Sequence, residues 1–184
     1  RRVSDDQAAT ATVADLRGQV ISQRTRELSG AADEATDVAQ RLETVSGTVL
    51  DALAAEGISS QMVVAVGVGV PAPVGTDGQT VTRTNSFWNR SNPNVGTHLT
   101  TTKGWTVLVE NDANLAALAE RWVGHGQDRR HFVVLLAGER LGAGVIEADR
   151  IFRGSSGRGG EMSWLNFVDG VGSADGIALL SRQW

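Results

Sequence analysis

The stretch from Thr106 to Trp122 most constrains how this chain folds. An apolar run, Thr106-Val107-Leu108-Val109, passes into Glu110-Asn111-Asp112-Ala113-Asn114 and then into apolar residues at helical spacing, Leu115, Leu118, Ala119 and Trp122. A buried strand that feeds an amphipathic helix in this way belongs to an α/β architecture. The turn between them puts an amide, a carboxylate and a second amide at the carboxyl end of the strand, where open α/β sheets bind ligands. Two readings of these residues stand side by side. Asn111 or Asp112 caps the helix, or the polar groups face a cleft where a carboxylate meets a ligand hydroxyl.

The rest of the chain supports the same class. Thr10 to Asp15 and the segment from Val20 and Ile21 read as a hairpin around Asp15-Leu16-Arg17-Gly18. Val38, Leu42, Val45, Val49 and Leu53 recur at helical spacing, with Gly57 as a stop. Met62 to Val70 is a nearly continuous β-branched run, expected as a strand covered on both faces and closed by Pro71-Ala72-Pro73. Residues 74–104 carry no strong period and read as a long loop, with Phe87 and Trp88 anchoring it or covering a ligand. Phe132–Leu136 and Ala143–Ile146 read as two more strands, residues 154–160 as a glycine-serine loop, and Ile177–Ser181 as the start of a helix. The expected domains are 1–110, an N-terminal α/β lobe, and 111–184, the beginning of an incomplete second lobe.

Charge and composition narrow the function. A net charge of −4 argues against this segment lying along a nucleic-acid backbone. No apolar stretch reaches the roughly 20 residues a membrane-spanning helix needs, so no membrane partner and a cytoplasmic location are expected. With no cysteine in the sequence, disulfides and thiolate metal sites are excluded. His98, His125 and His131 lack ligand spacing.

Four motifs, in order, resemble those of the ROK family of repressors, open reading frames and sugar kinases. Gly67-Val68-Gly69-Val70-Pro71-Ala72-Pro73-Val74 is similar to its G-x-G-x-P-G-P-V segment, and Glu110-Asn111-Asp112-Ala113-Asn114 to its E-N-D-A-N signature. Leu141-Gly142-Ala143-Gly144-Val145-Ile146 resembles the end of its second phosphate loop, and Gly159-Gly160-Glu161-Met162-Ser163-Trp164 its A-G-E-x-G-H motif. The resemblance implies an actin-like, ribonuclease-H-like sugar kinase fold with two lobes around a cleft. It implies that Asn111 and Glu161 bind sugar hydroxyls, and that Asp112 binds the sugar and, in a kinase, acts as the base that takes the hydroxyl proton.

The departures from the family pattern weigh against ATP. Family kinases carry G-T-G-I-G-A-G where this chain has Gly138-Glu139-Arg140-Leu141-Gly142-Ala143-Gly144. A carboxylate at Glu139 repels a triphosphate, and Arg140 obstructs close backbone approach unless it binds phosphate itself. The D-x-G-G-T loop of kinases is matched only by Asp5-Asp6-Gln7-Ala8-Ala9-Thr10, which has no glycine. Where the family has a zinc-ligating histidine this chain has Trp164, expected to pack beneath the sugar loop or to stack on a sugar.

The resulting expectation is the sugar-sensing domain of a transcriptional regulator, with no cofactor and no zinc. A hexose or derivative would bind between the lobes, and a homodimer or tetramer would reach DNA through a domain absent from this chain, upstream of Arg1. The alternatives are an ATP- and magnesium-dependent sugar kinase with Asp112 as base, and a dimerisation scaffold that has lost both ligands.

Overall fold

The computed structural model describes residues 8–28, 34–75, 77–78, 94–138, 140–171 and 173–181, with the side chains of 34–36 left aside. Asp5 and Asp6, Phe87 and Trp88, and Glu139 lie outside the described residues. Packing groups the chain into two compact units, 1–67 with 91–108 and 68–90 with 109–184.

In the first unit β1 (Ala8–Ala14) pairs antiparallel with β2 (Val20–Glu27), as the hairpin pattern requires. Asp15 organises the turn: its Oδ1 accepts from the backbone N–H groups of Arg17 and Gln19 at 2.8 and 2.9 Å, and Gly18 supplies a φ of +80°. Helix α1 (Glu34–Ala54) packs on both strands. Its expected apolar stripe faces inward, joined by the small polar residues Ser46 and Thr48, both buried. Thr48 satisfies its hydroxyl on the Thr44 carbonyl, and Ser46 meets His98 Nε2 at 3.1 Å. On the hairpin side, Ser22 Oγ donates to the Ala52 carbonyl at 2.6 Å.

Two expectations are corrected in this part of the chain. The β-branched run does not form a strand from Met62; Ser60–Met62 is a 3₁₀ turn capped by Ser59, and β3 covers only Val66–Val70. Trp105 Nε1 donates to the Ser60 carbonyl at 3.0 Å, which ties that turn down. Nor is β3 covered on both faces, because Gly67 and Gly69 are exposed while Val70 is buried. The expected loop 74–104 contains helix α2 (Val95–Lys103), which buries Val95, Gly96 and Leu99. Asn94, in the left-handed region, caps it through Thr97 N, and Gly104 at φ +72° ends it.

Strand β4 (Val107–Asn111) lies beside β3 and runs directly into helix α3 (Asp112–Val123). In the second unit β5 (Phe132–Ala137), β6 (Leu141–Glu147) and β7 (Arg150–Ile151) form an antiparallel sheet, with α3 against it. A short helix α4 (Ile177–Leu180) follows. Among the described residues no helix is long and apolar enough to cross a membrane.

The β6–β7 turn places Ala148 at φ 48° and Asp149 at φ 69°. Asp149 is suited to that region; Ala148 is not. Ala148→Gly is expected to stabilise the protein by about 1 kcal/mol, which thermal unfolding would register as a rise of roughly 2–4 °C. Asp149 also accepts from Arg121 Nη2 at 2.9 Å and Arg130 Nε at 3.0 Å. Desolvation pushes its carboxyl up, but hydrogen bonds from Arg130 and Arg121 outweigh this and hold it below the ordinary aspartate value of 3.8. Its stabilising contribution is therefore complete above that value and lost as pH falls through its lower folded value. The difference in thermal stability between wild type and Asp149→Asn should be constant above about pH 5 and should shrink in the acid range below 3.8.

Candidate functional site

The five residues 110–114 divide their tasks. Asn111 is the N-cap of α3: its Oδ1 accepts from Asn114 N at 3.1 Å, while its Nδ2 donates to the Ala72 carbonyl at 3.2 Å. The capping reading thus holds for Asn111, and its second bond fixes the amide against the buried segment 72–74, where Ala72 and Val74 are each 2% exposed. Each function of this amide keeps capacity, one N–H and one lone pair, for a ligand. Asp112 lies in the first helical turn, half-buried, with Oδ1 accepting from Ala113 N at 2.8 Å. An anion there is favoured by the helix dipole. Ala113 and Asn114 turn inward and are buried.

Glu110 is a residue whose role the sequence did not reveal. Oε1 accepts from Asn111 N and from Asn114 Nδ2, each at 2.9 Å. Oε2 accepts a two-pronged pair from Arg153, Nε at 2.9 Å and Nη2 at 2.5 Å. The carboxylate is 12% exposed and holds four donors. An acid closing a strand that buries Val107 and Val109 needs such partners, which was the available signal. Its cation lies 43 residues away.

Glycines bring the other segments close. A Cβ on Gly144 would overlap the Ala113 carbonyl, and one on Gly142 would lie 3.3 Å from Ala113 Cβ. A Cβ on Gly160 would overlap the Ala143 carbonyl, and one on Gly157 the Val74 carbonyl. Both of those glycines have positive φ, +84° and +74°. The loop that carries Glu161 therefore lies flat on β6 and on the 72–75 segment. Glu161 is half-buried and accepts from Ser163 Oγ at 3.1 Å. The turn at Gly138 is also closely packed: its carbonyl accepts from Ala178 N at 3.0 Å, and Leu141 N donates to the Ala174 carbonyl at 2.9 Å. Arg140 is exposed, and its backbone pairs antiparallel with that of Asp175.

The sequence pattern of the ROK family matches residues 6–169. The chain belongs to the ROK family. It is 35% identical over 101 residues to a beta-glucoside kinase of Listeria monocytogenes, covering 54% of this chain and 34% of that protein. It is 27% identical over 143 residues to a putative xylose repressor of a Caldicellulosiruptor species, covering 77% and 36%. A ROK glucokinase of Streptomyces griseus, solved with glucose and AMPPNP, superposes with a TM-score of 0.71 at 27% identity, covering 85% of this chain and 46% of that one. The fold is the actin-like sugar kinase fold. The chain spans about a third of the length of these two curated relatives and just under half of the solved structure.

Within this ROK chain the remaining singled-out residues fall as follows. Thr10, in the stretch matched to the first phosphate loop, shares a cross-strand hydrogen bond with Thr25 at 2.9 Å. Trp164 does not pack beneath the sugar loop. It is 57% exposed and makes a tilted contact with the exposed Phe167 at 6.3 Å between ring centroids. The histidines stand apart, on Ser46, Glu120 and Ala148 N. The indole and hydroxyl of Trp164 and Ser163 are not the donor set a ROK zinc site needs, and among the described residues no group of three acidic or imidazole side chains could hold a metal ion.

Gly144→Ala is expected to destabilise this unit by about 2–3 kcal/mol, because the added methyl meets backbone that cannot rotate away. Gly142→Ala, with its 3.3 Å contact, should cost less than about 1 kcal/mol. Urea unfolding of the two variants measures the difference.

Proposed function

We propose that this chain is the sugar-sensing effector part of a cytoplasmic ROK transcriptional regulator. A hexose or derivative binds at Asn111, Asp112 and Glu161, and the protein acts as a homodimer or tetramer that reaches DNA through a domain outside this chain. The observation that carries the reading is the packing of Gly142 and Gly144. Glycine is required at 144 and favoured at 142 by the seating of β6 against Ala113, so the glycine pattern is by itself no argument for a phosphate cradle. What then distinguishes the 138–144 stretch from a kinase loop is Glu139 and Arg140, a charged pair where small residues would let backbone N–H groups reach phosphates. Similarity to a repressor over 77% of the chain supports the same reading.

In this mechanism the sugar is held by polar groups already fixed by the fold. Asn111 offers its remaining N–H and lone pair, while the carboxylates of Asp112 and Glu161 accept from hydroxyls. The sugar favours one conformation of the regulator over another and so shifts the population that binds the operator. Metal and nucleotide take no part.

The kinase reading has its own support in the 35% identity to a beta-glucoside kinase. It takes Asp112 as the base that accepts the hydroxyl proton, with ATP and magnesium supplied from solution. Titration calorimetry with D-glucose, D-xylose and N-acetyl-D-glucosamine, run beside an ADP-release assay, separates the readings. The expected result is saturable heat with at least one sugar, loss of that heat in Asp112→Asn, and no sugar-dependent ADP. Turnover abolished by Asp112→Asn would establish the kinase and overturn the regulator, and absence of heat with every sugar would leave only a scaffold.

A further inference from the structure

We propose that Glu110 and Arg153 are positioning residues that lock the Glu161 loop to the helix end bearing Asn111 and Asp112, and so set sugar affinity. The inference rests on the sugar-binding reading above and adds a part that no ligand-contacting residue supplies.

Arg153 is anchored at both its side chain and its backbone. Its guanidinium grips Glu110 Oε2 through Nε and Nη2. Its carbonyl accepts from Gly159 N at 2.8 Å, closing residues 153–159 into a ring. Gly154 lies at φ +65° inside that ring and Gly160 at +84° just past it. Glycines at such angles hold no conformation by themselves, so the direction in which Glu161 leaves the ring depends on what the ring touches, the close backbone contacts of Gly157 and Gly160 together with the hold on Arg153.

Glu110 is held in turn by what Asn111 and Asn114 donate. Oε1 receives the Asn111 backbone N–H and the Asn114 amide at 2.9 Å each. The bond to Glu110 also fixes the orientation of Asn114, since a flipped amide would set its oxygen against the carboxylate. The Asn114 side-chain oxygen is left buried with no partner among the described residues. A buried acceptor left in this state is tolerated where the surrounding network repays it by fixing geometry. One carboxylate thus ties the backbone of the cap residue, the first turn of α3 and the base of the loop into a single rigid unit.

The two-pronged geometry is what makes Arg153 specific. A guanidinium fixes angle as well as distance, whereas an ammonium fixes distance alone. Arg153→Lys should therefore keep the charge pair but hold the loop's orientation less tightly.

The test measures loop order without sugar and affinity with it. Hydrogen exchange on the sugar-free protein should show faster exchange at residues 154–161 in Arg153→Met than in wild type. Calorimetry with D-glucose, D-xylose and N-acetyl-D-glucosamine should show affinity reduced by roughly tenfold or more in Arg153→Met and Glu110→Gln, with Arg153→Lys intermediate. Asp149→Asn, which weakens the same unit away from this network, should leave affinity unchanged and so separates positioning from general loss of stability. Unaltered exchange at 154–161 in Arg153→Met would overturn the proposal. So would wild-type affinity in Arg153→Met, or an equal loss of affinity in Asp149→Asn. Absence of binding by the wild-type protein itself would instead overturn the sugar-sensing reading, and with it the effect of the pair on affinity.

Discussion

Helix α3 approaches strand β6 so closely that the Ala113 carbonyl occupies the space a side chain at position 144 would need. Nearly everything else in the second unit follows from this contact. The helix must begin where β4 ends, so its first turn is fixed by the Asn111 cap and by Glu110 beneath it. The strand must offer glycine toward the helix, and the carbonyl of Ala143, between the two glycines, meets Gly160. Close approach at Gly144 and at the Ala143 carbonyl is thus what brings the helix end and the Glu161 loop near a common strand.

Much of this was legible in the sequence, and for identifiable reasons. The hairpin, α1, β4, α3, β5 and β6 each carry a clear period or an unbroken apolar run bounded by turn or cap residues, and the structure has them there. Helix α2 was not legible, because Val-Gly-Thr-His-Leu-Thr-Thr-Thr-Lys is built from weak helix formers. Its stability comes from burying Val95 and Leu99 and from a cap at Asn94, neither of which a periodicity search detects. Met62 to Ala65 failed in the opposite sense: β-branched residues suit a strand, but the Ser59 cap and the Trp105 bond to Ser60 impose a turn.

The candidate site was legible as a set of residues and not as a network. Asn111, Asp112 and Glu161 stand out because polar groups follow buried strands or glycine turns. The bond from Asn111 to the Ala72 carbonyl and the pairing of Glu110 with Arg153 join segments far apart in sequence, and nothing local announces them. Trp164 shows the converse limit. A large aromatic suggests burial, yet the short 3₁₀ turn Ser163–Phe167 holds it out beside Phe167.

The same reasoning explains why motifs alone cannot separate a regulator from a kinase on this scaffold. Glycine at 144 is demanded by the Ala113 contact, and glycine at 142 is favoured by it, whether or not a nucleotide ever approaches, so the pair suits a regulator and a kinase alike. Asn111 is demanded by the helix cap whether or not a sugar binds. The discriminating positions are those the fold leaves free to vary. Arg140 is one: its side chain is exposed, its backbone bridges Asp175, and no packing constraint calls for arginine there. A charge at a position where packing is indifferent answers to a ligand rather than to the fold, and on the proposed regulator reading it is there that a nucleotide would be refused.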